Sequence, residues 1–262
     1  MLAKLLKYEF KATSRTFIPL YIVLLVFAVI NRIITPEKIL ISSNSFIIKD
    51  ILAVVGITLY IGLILAVVVV TLIIMIQRFY KNLLGNEGYL MFTLPVQSWK
   101  LIASKVITSL TWSVLSFFIT ITSLVIVIGP KNIVSGIRDM LAFIQKSMGG
   151  AGFVILPIYG LLAVVSSILT VFTAIALGQL FSRHRVIASF GMYCAIYAVY
   201  QLLMLLYMLL VGNNIAPTFL KGTPSIWDLN LFSLLFILFE CVRISINFVI
   251  TNKILKNKLN LE

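Results

Sequence analysis

The chain alternates long apolar runs with short, charge-bearing breaks. Six runs stand out, at about residues 17–34, 51–76, 101–128, 153–181, 186–211 and 230–250. Crossing about 30 Å of hydrocarbon at about 1.5 Å per residue takes roughly 17–20 residues, so each run predicts a membrane-spanning helix. The second, third and fourth runs exceed that length and predict tilt or projection beyond the bilayer. The alternation of an outer-membrane barrel strand is not seen in the sequence. The predicted fold is an all-α polytopic membrane protein, a single transmembrane domain over residues 1–262.

The breaks predict elements of their own. Residues 1–16, "MLAKLLKYEFKATSRT", read as an amphipathic interfacial helix. Lys4, Lys7, Lys11 and Arg15 recur at steps of three and four on one stripe, with Leu2, Leu5, Leu6 and Ala12 opposite and Phe10 on the flank. Such a helix sets its cations at anionic headgroups and its leucines at the acyl boundary. Glu9 falls inside the apolar arc. It either snorkels to water at the edge, or meets a partner protein or a basic residue of the loop between spans 2 and 3.

Residues 131–150 predict an outer amphipathic helix with Ile137, Leu141 and Ile144 on one side, ended by a Gly-Gly pair. Residues 212–229 mix turn residues with Ile215, Phe219, Leu220, Ile226 and Trp227. They predict a short helix or re-entrant segment in the outer leaflet, broken into two pieces by Pro217 and Pro224, with Trp227 at the interface.

Composition agrees with these spans. The chain is 61% hydrophobic, with a mean hydropathy of +1.12; soluble domains run at roughly 45–50% apolar. The net charge of +13 would suggest nucleic-acid binding in a soluble protein. Here the basic residues sort by side of the membrane, and no nucleic-acid module or full-length repeat is evident. Thirteen lie at the N-terminus (Lys4, Lys7, Lys11, Arg15), around the loop between spans 2 and 3 (Arg78, Lys81, Lys100, Lys105), in "SRHR" (Arg183, Arg185) and in the tail (Lys253, Lys256, Lys258). Seven lie on the other side: Arg32, Lys38, Lys49, Lys131, Arg138, Lys146 and Lys221. The positive-inside rule then predicts a multi-pass protein of the cell membrane with both termini cytoplasmic. No cleavable signal peptide is visible. Cys194 and Cys241 lie within apolar runs and read as small core residues.

Candidate chemistry is sparse. His184 is the single histidine and sits in a basic turn. The sequence contains no HExxH pair, no GxSxG elbow and no P-loop. No catalytic or metal-ligating residue is predicted. Within the spans, Glu240 is the clear acidic residue, and Arg243 follows three residues later on the same helix face. They read either as a structural ion pair or as lining for a substrate path. Asn31, Gln77, Gln179 and Asn247 are interhelical hydrogen-bonding candidates, and Gln201 a path-lining candidate.

Between spans 2 and 3 the chain reads "RFYKNLLGNEGYLMFTLPVQSWKLIASK". Tyr80, Leu83, Leu84, Glu87, Leu90, Met91 and Leu94 trace one helical stripe over residues 79–94. Gly85 and Gly88 weaken it in the middle, Asn86 is placed to cap a second short helix, and Pro95 ends it. The apolar stripe either docks another protein or packs back on the chain's own helices.

The segment "NEGYLMFTLPVQSWKLIASK" resembles the ABC-2 type transporter permeases, in particular short six-span permeases of Gram-positive bacteria. The resemblance rests on Glu87-Gly88, the stretch Leu90 to Leu94, Pro95 and Lys105, with the spacing from Glu to Pro compressed relative to the family pattern. The N-terminal "LLKYEFKATSR", the six spans and the outer segment between spans 5 and 6 match the family layout. The resemblance implies that the loop is a coupling helix seated in a groove of a cytoplasmic ATPase subunit. ATP and Mg would be held by that partner, with no cofactor in this chain, and a second permease, the same chain or a different one, would complete the exporter. It also implies a hydrophobic or amphipathic substrate, such as an antimicrobial or signalling peptide. Glu87 would either contact the ATPase or cap its own helix. An integral-membrane lipid-modifying enzyme and a secondary carrier are the alternatives.

Overall fold

The computed structural model describes residues 2–34, 47–81, 97–181, 184–220 and 225–257. Among them every regular element is helical: α1 (Leu2–Ile34), α2 (Ile47–Phe79), α3 (Ser98–Ile128), α4 (Pro130–Met148), a 3-10 turn at Gly149–Ala151, α5 (Gly152–Gly178), α6 (Arg185–Leu220) and α7 (Ile226–Asn257). Among the described residues, six helical stretches are long and apolar enough to cross a membrane: Ala3–Ile34, Val54–Phe79, Ser98–Ile128, Asn132–Gly178, Arg185–Leu209 and Ile226–Lys256.

Several boundaries differ from the sequence expectation. The amphipathic residues 2–16 and the first apolar run form one continuous helix. No glycine lies within α1, and Pro19 removes only one N–H near the junction. Helix α6 runs through Pro217 to Leu220 instead of breaking there. A proline this close to a helix end disturbs few intrahelical bonds, so the turn survives it. Helix α7 starts at Ile226 because Ser225 and Asp228 cap it reciprocally. The Asp228 N–H donates to Ser225 Oγ at 3.2 Å, and the Ser225 N–H donates to Asp228 Oδ2 at 3.1 Å. Trp227 in that first turn is strongly exposed. The expected end of α4 is found at Gly149, whose φ of +65° is the left-handed conformation that glycine alone adopts without strain.

Two compact units can be distinguished, Met1–Met75 with Ile107–Asp139, and Ile76–Val106 with Met140–Glu262. In the first, Phe17, Tyr21, Leu24 and Ala28 of α1 pack with Tyr60 and Val67 of α2 and Trp112 of α3. Phe17 stacks on Trp112 with centroids 4.4 Å apart and planes 11° from parallel. Hydroxyls tie the same helices together. Tyr21 OH lies 2.7 Å from Ser116 Oγ, Thr71 Oγ1 3.3 Å from the same atom, and Tyr60 OH 2.8 Å from Ser123 Oγ. Inside a bilayer no water competes for these groups, so each hydroxyl satisfied across helices fixes their register. Asn31 is buried and sits over Gly56, where an added Cβ would stand 2.6 Å from Asn31 Oδ1.

In the second unit, α5 is the central element and packs against both α6 and α7. Its second half is buried from Ser166 to Gly178, apart from Ser167, Val171 and Leu177. Gly178 lets α6 approach closely, since a Cβ there would lie 2.6 Å from the Ser189 backbone nitrogen. Cys194 and Cys241 are exposed on the outer faces of their helices, contrary to the core placement expected from their apolar runs. Lipid-facing and core-facing positions of a spanning helix are equally apolar, so hydropathy alone does not tell them apart.

Candidate functional site

Residues 82–96 lie outside the described residues, and with them Leu83, Leu84, Glu87, Gly88, Leu90, Met91, Leu94 and Pro95 of the predicted coupling segment. Both flanks are described, and both belong to the second unit. On the leading side, α2 ends at Phe79 and a π turn follows at Tyr80 and Lys81, with Tyr80 half-buried. Phe79 is fully buried and stacks flat on Phe172 of α5, with centroids 4.1 Å apart and planes 9° from parallel. On the trailing side, Gln97 precedes α3, and its side-chain oxygen accepts from the Trp99 indole at 2.8 Å. The Lys100 ammonium lies 5.5 Å from the Trp99 ring centroid. Leu101, Ile102 and Ser104 are buried, and so is Lys105, whose expected place was among the charges at the loop edge. Lys105 lies in the second turn of α3, on the inward face with Leu101 and Ile102.

The N-terminal stripe is legible in the structure. Lys4, Lys7, Lys11 and Arg15 are exposed, while Leu5 and Leu6 are half-buried. Glu9 is only 7% exposed, which removes the expectation that it snorkels to water. The physical reason is phase. Glu9, Thr13, Phe17, Tyr21, Leu24 and Ala28 follow one another at steps of three and four, so the inward stripe of α1 extends back to Glu9.

A second set of polar residues converges where α5, α6 and α7 meet. Asn247 of α7 donates its amide to Thr170 Oγ1 at 3.1 Å and accepts from Tyr200 OH at 3.1 Å. Thr173 Oγ1 lies 2.9 Å from Thr251 Oγ1 and 3.2 Å from the Asn247 carbonyl. One helical turn above Asn247, Arg243 Nη1 donates to Glu240 Oε1 at 2.8 Å. The guanidinium also faces the Tyr200 ring at 4.7 Å, which spreads its charge over an aromatic face. The sequence pairs Glu240 with Arg243 and marks Asn247 as an interhelical hydrogen-bonding residue, which it is, but does not supply its partners Thr170 and Tyr200. The signal for this node was present as small hydroxyl residues at Ser166, Thr170 and Thr173, spaced to share one face, opposite Asn247 and Thr251.

Other polar candidates separate. Asn31 is buried and donates to the Phe27 carbonyl at 3.2 Å, whereas Gln77 and Gln201 face outward. Gln201 therefore does not line the α5–α7 contact. His184 is exposed, with a φ of 56°. Among the described residues no three His, Cys, Asp or Glu side chains gather as metal ligands. A groove of about 250 Å³ between α5 and α7 is lined by Ile155, Leu156, Tyr159, Phe232, Ser233 and Phe236.

These features define the class: a polytopic α-helical membrane protein whose six candidate spans contact the lipid bilayer. Comparison with known families, curated proteins and solved structures finds no match to the chain.

Proposed function

We propose that the chain is the membrane-spanning permease subunit of an ATP-driven exporter. A separate cytoplasmic ATPase would hold the ATP and Mg and seat the segment 79–94. Two permease halves, identical or different, would form the path, and the substrate would be hydrophobic or amphipathic, a peptide being the favoured case. Both termini and the loop between spans 2 and 3 face the cytoplasm in this reading, in line with the balance of basic residues.

The observation that carries the proposal is the placement of the loop's flanks. Phe79, immediately before the segment, is stacked on Phe172 of the α5–α7 unit. A displacement of residues 82–96 by an ATPase would therefore be felt by packed spanning helices, as a rocking mechanism requires. The sequence resemblance at Glu87-Gly88, Pro95 and Lys105 supports the same reading.

The test is co-purification of the chain with an ATPase encoded beside it. Binding is expected to be lost on Glu87→Arg or on deleting residues 85–94. Transport by the purified chain alone, driven by an ion gradient, would overturn the proposal.

A further inference from the structure

Six buried side-chain atoms of the second unit have no hydrogen-bond partner among the described residues: Gln179 Nε2, Asn230 Oδ1 and a group of four, Ser166 Oγ, Tyr207 OH, Glu240 Oε2 and Arg243 Nε. Helix register brings these four to neighbouring turns of the same three-helix contact, Ser166 level with Arg243 and Tyr207 about one turn away at Phe239. Thr170 pairs with Asn247 and Thr173 with Thr251, so α5 and α7 run side by side with a steady offset. One turn back along both helices, the same offset sets Ser166 beside Arg243. Ser166, Thr170 and Thr173 share a face of α5, and Arg243, Asn247 and Thr251 share a face of α7. From α6, Tyr200 faces the Arg243 guanidinium and bonds Asn247. Tyr207, two turns along that face, stacks at 5.8 Å on Phe239, the neighbour of Glu240.

The chemistry of the four groups is mixed. One is an anionic acceptor, one a cationic N–H donor, and two are hydroxyls that both donate and accept. A bound anion would meet the Glu240 carboxylate, and a bound cation the Arg243 guanidinium. Ser166 is fully buried and Glu240 is 6% exposed, so a bulky group from outside the chain does not reach them. The occupant that suits this set is small, neutral and amphoteric. A buried water ordinarily makes about three hydrogen bonds, and these four groups supply them.

We propose that Ser166, Tyr207, Glu240 and Arg243 line an internal hydration site that holds ordered water between α5, α6 and α7, midway along the apolar run of α7. The direct Glu240–Arg243 contact uses Oε1 and Nη1. The water serves Oε2 and Nε, and so completes the solvation that an ion pair in apolar surroundings requires.

The test uses the full chain, purified in detergent and in lipid nanodiscs. Ser166→Ala and Tyr207→Phe each remove one hydroxyl. With water bridging them to the ion pair, each substitution lowers the melting temperature. The double variant then falls by less than the sum, because both hydroxyls act through shared water. In a dry cluster, deleting an unpartnered hydroxyl relieves a desolvation penalty. Melting at or above the wild-type temperature in both variants would therefore overturn the proposal, as would strictly additive losses. A map of the wild-type chain at a resolution showing ordered water needs no variant. Density bridging Glu240 Oε2 and Tyr207 OH supports the site, whereas a direct bond between those two atoms sinks it.

Discussion

The Trp112 indole N–H donates to the Thr13 hydroxyl at 2.8 Å, joining α3 to a residue 99 positions earlier in α1. Thr13 in turn donates to the Glu9 carbonyl at 2.8 Å, so one hydroxyl serves as both acceptor and donor in a buried setting. Thr13→Val keeps the shape but leaves the indole N–H without its acceptor. The expected destabilisation is about 1–3 kcal/mol, the usual penalty for a buried unsatisfied donor. Unfolding of the purified chain in detergent measures it. Thr16→Val, at an exposed position of the same helix, is expected to stay within about 0.5 kcal/mol of wild type.

Helix α6 approaches α5 at Gly178 too closely for any side chain. A Cβ there would meet Ser189 backbone, which cannot rotate away as a flexible side chain would. Gly178→Ala is expected to force α5 and α6 apart and to lower the yield of monodisperse protein on size exclusion. Gly160→Ala, in the same helix with nothing within 4 Å, is the matched control and is expected to behave as wild type.

Breaking the Glu240–Arg243 pair should harm the fold more than removing it. Glu240→Gln leaves a guanidinium without its anion, and Arg243→Gln leaves a carboxylate without its cation. Each single variant is expected to lose about 3–5 kcal/mol, while the double variant recovers part of that loss. A double-mutant cycle on unfolding free energies checks this. Additive losses would show that the two side chains do not act as a pair.

The start of α7 depends on one reciprocal cap. Ser225→Ala removes the acceptor of the Asp228 N–H and is expected to cost about 0.5–2 kcal/mol. Faster amide exchange confined to the first turn after residue 225 is the matching local signature, measured by hydrogen–deuterium exchange.

The spans were legible because each apolar run is far longer than a buried soluble helix needs. The stripe Lys4, Lys7, Lys11 and Arg15 was legible because its spacing is that of a helix face. What hydropathy could not supply is which face of a spanning helix looks inward. Cys194, Cys241 and Gln201 face out while Glu9 and Lys105 face in, and none of these follows from local composition. The Thr170–Asn247–Tyr200 node needs three helices in register, a relation between distant segments that one-dimensional periodicity does not contain. Pro217 misled in the other direction, since a proline this close to a helix end disturbs few intrahelical bonds.

The flat stack of Phe79 on Phe172 ties the end of α2 to α5. The ring that ends α2 grips α5 one peptide bond before Thr173, the residue that meets Thr251. A torque applied at the π turn of Tyr80 and Lys81 would thus enter α5 beside its most exacting polar contact. Turning that helix by a fraction of a step would require the Thr173–Thr251 hydroxyl contact to break.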